Sequence, residues 1–258
     1  FNGNLDVDGT ANLDVVDIDG AVDMASTLQV DGAITGSSTI NGAGIAYSLA
    51  NFANSLLISN DAGIGTLSSA SNNTGFGHEV FDDLTSGTEN TGVGYLALTK
   101  LTSGTRNVAV GVRALDTVTT VNDNTAVGHD SLTGNTSGFK NTAVGSGAGQ
   151  DNTTGDNLVA VGFNAAENNT TADDNTAIGS QALFTNTSGA KNVAIGTGAM
   201  YNNTSANDNV AVGAESMDSN TTGAGNTAVG KGSMGANTTG QRSVAQCLYQ
   251  QLLVIVLL

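Results

Sequence analysis

From residue 73 onward, apolar and polar positions repeat as a unit. A β-branched residue, a small residue, an aliphatic residue and a glycine stand in that order, as in Thr125-Ala126-Val127-Gly128. The closing glycine recurs from Gly77 to Gly230 in ten copies, each 17 residues after the last, with no insertion or deletion. A fixed period of this kind is the signature of a repeat architecture. The columns hold register. One before the glycine stands Val or Ile, with Phe76 the exception, and two before it Ala, or Gly in the first two copies. Four before it stands Asn, except at Leu158. Four after it is mostly Leu or Met. Seven after it the sequence reads Leu84, Leu101 and Val118, then Asn from Asn135 to Asn237. Eight and nine after it are Thr-Thr or Thr-Ser in every copy.

Dense β-branched residues and glycine argue against helix. The pentapeptide Asn-Thr-Ala-Val-Gly reads as a short strand and a corner. The stretch ending in Ala-Leu reads as a second strand or a bend, and Asn-Thr-Ser-Gly as a turn. The expected fold is all-β: a parallel β-solenoid or β-roll of ten 17-residue coils over 71–242. Coils about 4.8 Å apart stack equivalent residues in rows. The expected core is the Val/Ile row (Val127, Val144, Ile178, Ile195) with the Leu/Met row (Leu132, Leu183). Asn124 and Asn141 represent an amide ladder at one corner. Gly128, Gly145, Gly179 and Gly196 mark a tight corner or a close backbone approach. The Val and Leu rows alone look thin for 17 ordered residues. Neighbouring chains are therefore expected to complete the core, with the Ala126 row, opposite Val, as the close-packing face.

Other rhythms flank the repeat. Over 1–45, Leu5–Gly9, Val16–Gly20, Leu28–Gly32 and Ser38–Gly42 alternate strictly and end in Asp-Gly or Asn-Gly, which reads as an acidic shaft of short strands. Residues 46–70 fit neither pattern and read as a transition, with a short helix around Tyr47 to Leu57. At 243–258 the repeat degrades. Ala245 keeps its column, but Cys247 stands where an eleventh glycine is due, and Leu248 to Leu258 is apolar. The tail reads as a shortened coil, an apolar cap or a shifted reading frame. This largely apolar stretch of 11 residues falls short of the roughly 20 that span a membrane. A chain opening on Phe1 reads as a fragment or processed product.

Composition narrows the function classes. The net charge is −16 with seven Lys and Arg, which argues against nucleic acid or an anionic membrane as partner. There are 35 glycines, no proline, no tryptophan and one cysteine, so neither a large globular core nor a disulfide framework is expected. No catalytic constellation, cofactor site or metal site emerges. His78 and His129 share a column but lie three coils apart, roughly 14 Å. A ring of three on a threefold axis is the metal alternative to solvent-facing histidines. Neither a calcium nonapeptide nor an EF-hand loop is present, and nothing selects a glycosidase carboxylate pair. The Asn-x-Thr/Ser tripeptides follow from the repeat itself. The Thr rows raise ice binding as a further class, although adjacent hydroxyls point to opposite faces of a strand.

The columns Asn-Thr-Ala-Val-Gly, Ala-Leu and Asn-Thr-Ser-Gly resemble the head repeats of trimeric autotransporter adhesins, the YadA-like group, and related repeats of bacteriophage tail fibres. The resemblance covers Asn73 to Gly240, about two-thirds of the chain. It implies a left-handed parallel β-roll three chains wide at a surface that sticks to host molecules. The Val-Asp-Gly stretches resemble tail-fibre shafts of marine phages. The period is longer than the commonest adhesin head repeat, and no stalk heptads, membrane-anchor strands or self-cleaving chaperone domain are visible. The expectation is a non-enzymatic homotrimeric tail fibre on the virion surface, contacting a host-cell glycan or protein, with no membrane insertion. The alternative is the head of a bacterial adhesin or another extracellular filament. Contacts are expected on the variable columns five, six, eleven and twelve after the glycine, where charged, aromatic and small residues alternate without a rule.

Overall fold

The computed structural model describes strands β1 (Ser38–Ile40), β2 (Ala43–Leu49) and β3 (Phe52–Ser59), and all residues of 67–246. Side chains are described at 55–58 and 67–246. The fold is all-β, and no helix occurs among the described residues. After a two-residue strand, β4 (Ala70–Ser71), come eleven strands of three residues. They run from β5 (Thr74–Phe76) to β15 (Val244–Gln246), one every 17 residues. Each pairs in parallel with the next, and Ala126 faces Ala143 as Ala211 faces Ala228. The eleventh strand forms in the degenerate unit, where Ala245 pairs with Ala228, so the solenoid has one coil more than the ten glycines predict. Of the shaft segments, only β1 lies within the described residues. The segments at Leu5, Val16 and Leu28, and everything after Gln246, lie outside them.

The expected helix at Tyr47 to Leu57 is instead two antiparallel strands, with Tyr47 opposite Leu56 and Ala46 opposite Leu57. The reason is period-two burial: Ser55 and Leu57 are buried while Leu56 is exposed. Strand β3 then pairs in parallel with β5, Leu57 beside Gly75, which carries the sheet into the solenoid.

Each coil holds one strand, not two; the remainder is bends. Four positions per coil have positive φ. In one coil these are Gly111 (140°), Arg113 (56°), Leu115 (51°) and Asp123 (62°), and equivalents recur along the chain. The Ala-Leu stretch is therefore a bend, with Leu115 or Leu132 at its left-handed apex. Positive φ is unfavourable for a side-chain-bearing residue and worst for a β-branched one. Axial hydrogen bonds hold these bends as well as the strands. Arg113 N–H donates to the carbonyl of Tyr95 at 2.8 Å, and Thr102 N–H to that of Thr119 at 2.9 Å.

The lumen holds Ala126, Leu132 and their rows, together with both Asn rows, buried along the stack until Met234, Asn237 and Ala245 become half-buried in the last coils. Buried amides are tolerated only when their donors and acceptors are satisfied. Asn107 donates its N–H and side-chain Nδ2 to Asn90 Oδ1 at 2.9 and 3.1 Å, and Nδ2 also reaches the carbonyl of Val121 at 2.8 Å. In the second row Asn186 Nδ2 donates to Asn169 Oδ1 and to Gly189 O, both at 2.8 Å. A first-row Asn thus ties the coil before it to the turn of the coil after it, whereas a second-row Asn such as Asn186 closes its own turn and bonds to the coil before it.

Two of the departures in the core columns fit each other. Gly149 stands where Leu or Met is usual, and Leu158 where Asn is usual. A Cβ on Gly149 would lie 3.1 Å from Leu158 Cδ2, so Leu158 fills the space that a side chain at 149 would take. Leu158 has no amide oxygen, and Asn175 Nδ2 bonds across to Asn169 Oδ1 at 3.1 Å instead.

Candidate functional site: the outer face of the parallel sheet

In a three-residue strand only the middle side chain points inward. The Asn four before the glycine and the Ala two before it share one parity, and both are buried. The residues three and one before it must then point outward. This corrects the expected core. Val144, Ile178, Ile195 and Val229 are 36–42% exposed, and Val127 is half-buried. The Ala126 row, expected between chains, lies in the lumen of a single chain. The buried Asn ladder sets this phase, because an amide that bonds coil to coil inside fixes its neighbours outside.

The outer face therefore carries two rows of side chains along eleven strands. One row is Thr or Val, as at Thr125, Thr142 and Val159; the other is Val or Ile from Val93 to Val229, with Phe76 and Gln246 at its two ends. Ten axial steps of about 4.8 Å make it roughly 48 Å long, and strand pleating places its two rows about 7 Å apart.

Past the glycine corner runs a third outward column. Tyr95 and Phe163 are 47% and 56% exposed there. His78 and Tyr95 touch as tilted rings with centroids 5.4 Å apart. Each histidine is matched with the carboxylate next to it: His78 Nδ1 is 3.4 Å from Glu79, and His129 Nδ1 is 3.1 Å from Asp130. Arg113 grips Asp130 through two hydrogen bonds of 2.6 Å. Among the described residues no group of three or more His, Cys, Asp or Glu is placed to hold a metal. No described helix is long and apolar enough to cross a membrane.

The Thr rows serve the coil stack. Thr136 donates its hydroxyl to the carbonyl of Thr153 at 3.0 Å, and Thr153 to that of Thr170 at 2.8 Å. Asn135, Asn152, Asn169, Asn186, Asn203 and Asn220 head glycosylation-type tripeptides, but all are fully buried, so a glycan has no room on them. Two carboxylates in the bend column five after the glycine stand out. Burial pushes Asp116 above the usual carboxylate range, with Lys100 and Arg113 acting in the opposite direction. Burial, then the charge of Asp151, pushes Glu167 the same way. They are three coils apart, roughly 14 Å, and do not form a pair.

Comparison with family models, with curated proteins and with solved structures returned no match. The face itself was legible from parity, since Asn and Ala at positions of one parity leave Thr and Val on the other. The positive-φ columns also left a signal. Two and twelve after the glycine are outward columns without a single Val, Ile or Thr, in a chain rich in them.

Proposed function

We propose that the chain is a structural fibre protein, a tail-fibre segment on a virion surface that contacts a glycan or protein of the host cell and carries out no catalysis. It assembles as a homotrimer through the outer face of its parallel sheet. The observation that carries this reading is the double row of Thr, Val and Ile that runs from Thr91 to Val229 on the outside of a regular solenoid. Isolated surface aliphatics are ordinary, but a contiguous apolar strip marks an interaction surface. A strip about 48 Å by 10 Å is roughly 500 Å², and two such strips joined bury about 1,000 Å², the lower bound for a specific interface. In a closed ring of three each copy meets two others. The net charge of −16 keeps the remaining surface soluble and self-repelling. Receptor contact falls to the bends, whose outward columns vary more than the interior.

Sedimentation equilibrium and negative-stain imaging test the proposal together. The expected result is a particle of three chains seen as a threefold rod, which Ile178→Lys with Ile195→Lys converts to smaller species. A folded wild-type monomer excludes the assembly, and a trimer indifferent to both lysines excludes the face. Loss of host-cell attachment by virions that lack the rod tests the fibre role separately.

A further inference from the structure

Coils that share the same interior present a register problem. The Ala, Asn, Leu and Gly columns fit one coil against the coil after next nearly as well as against its neighbour. One outer column distinguishes them. Five before each glycine stand Glu89, Arg106, Asp123 and Lys140 on four successive coils. After the neutral Asn157 come Asp174, Lys191 and Asp208, and after Gly225, Arg242. Within each block the sign alternates at every step. Of the seven basic residues in the chain, four stand in this column, so scarce cations are concentrated here. The variable column does therefore follow a rule, one visible only when successive coils are stacked.

The geometry uses the alternation. Arg106 Nε donates to Asp123 Oδ1 at 2.6 Å, and Nη2 to Oδ2 at 3.0 Å, across one coil. Arg106 also feels Glu89 from the other side, and Asp123 feels Lys140. Asn157 Nδ2 donates to Asp174 Oδ1 at 3.1 Å, which carries the column across its neutral step. Skipping a coil reverses the pattern: Glu89 then faces Asp123, Arg106 faces Lys140, and Asp174 faces Asp208. We propose that this column sets coil order during folding, by attraction between true neighbours and repulsion across a skipped coil.

The test reads skipped pairing directly in the full chain. In a Cys247→Ser background, Ser103→Cys and Ser137→Cys place thiols on exposed turns two coils apart. Their separation is about 9.6 Å, beyond disulfide reach, whereas a skipped coil brings them to about 4.8 Å. Refolding at low salt should give little 103–137 disulfide. Exchanging the two charges, Arg106→Asp with Asp123→Arg, keeps composition but makes the skipped register attractive, and should raise that disulfide about fivefold. An equal yield in both chains overturns the proposal. If the exchanged chain does not fold, the unexchanged ladder is still tested. Refolding in 1 M salt cuts the screening length to about 3 Å and should raise the skipped disulfide. A yield independent of salt overturns the proposal as well. Oligomeric state does not enter, so the outcome is separable from that of the fibre reading.

Discussion

Gly149→Leu and Leu158→Asn together rebuild the common coil, and each alone should be harmful. The space at 149 is occupied: a Cβ there meets Leu132 Cδ2 at 3.0 Å and Leu158 Cδ2 at 3.1 Å. Leucine added to a filled lumen costs about 1–3 kcal/mol by overpacking. The left-handed backbone, φ 58° at Gly149, adds about 1 kcal/mol for any side chain. Leu158→Asn alone removes a fully buried leucine, about 1.5–3 kcal/mol of burial, and leaves a gap beside Gly149. It returns an amide that can bond to Asn141 and accept the N–H of Asn175, and each such bond is worth about 1 kcal/mol. In the double variant leucine fills the lumen from 149 and the Asn row runs uninterrupted. The singles should sum to about 3–5 kcal/mol of destabilisation, and the double should lie within about 1 kcal/mol of the parent. The implied coupling, about 2–5 kcal/mol, lies at or above the upper end for residues in contact. Urea unfolding with unchanged slope measures it. Additivity within about 0.5 kcal/mol would falsify the size compensation between the two columns.

Two further substitutions test the corner and the bend carboxylates. Gly128→Ala places a Cβ 2.6 Å from the carbonyl carbon of Gly145 at φ 141°, where only glycine is at ease, so it should cost more than about 3 kcal/mol or abolish soluble expression. Chemical denaturation of the soluble fraction checks it. Asp116→Asn should raise the melting temperature at pH 7, because folding holds the Asp116 carboxyl above its ordinary range and disfavours its charge. The sign follows from linkage: the folded state binds the proton more tightly, so the benefit of removing the charge shrinks as pH falls toward the ordinary carboxylate value near 4. Melting curves with the same gain at pH 4 and pH 7 would contradict this.

The period, the strand and the parallel stack were legible because equivalent residues must stack, and stacking keeps columns constant. The sequence places the Leu/Met row inside correctly, but not the inward row of the strand, because Val is more apolar than Ala and is assigned to the core on that ground. Volume decides otherwise. The lumen already holds Leu132 and its row, and the inward strand position has room for one methyl group. The sequence leaves the Ala-Leu stretch open between a second strand and a bend, because Ala-Leu alternates like a strand over two residues, and the structure makes it the bend. The absence of β-branched residues at positions such as Arg113 and Asp123 was the contrary signal. The first coils show the same volume logic. Phe81 replaces the usual leucine, and Gly75 and Gly92 replace alanine nearby: a Cβ on Gly75 would meet Phe81 Cδ2 at 3.0 Å, and one on Gly92 would meet Val80 Cγ1 at 2.8 Å.

The absence of proline has a reason in the same geometry. In an ordinary domain, bends are the natural place for proline. Here the bends donate along the rod, as Thr102, Arg113 and Leu115 do, so a residue without an N–H would break a bond between coils in a turn as surely as in a strand. A thin core was the first ground for expecting partner chains, yet the described coils close their own lumen, with Ala126, Leu132 and Asn141 all fully buried. In the proposed trimer the partner chains cover the outside instead. Alternation in a three-residue strand forces its first and third residues outward once Asn and Ala are committed inward, and eleven coils repeat that choice on one line. The same constraint that satisfies the buried amides therefore builds the apolar strip, and substitutions in the strip should change assembly while leaving the coil interior intact.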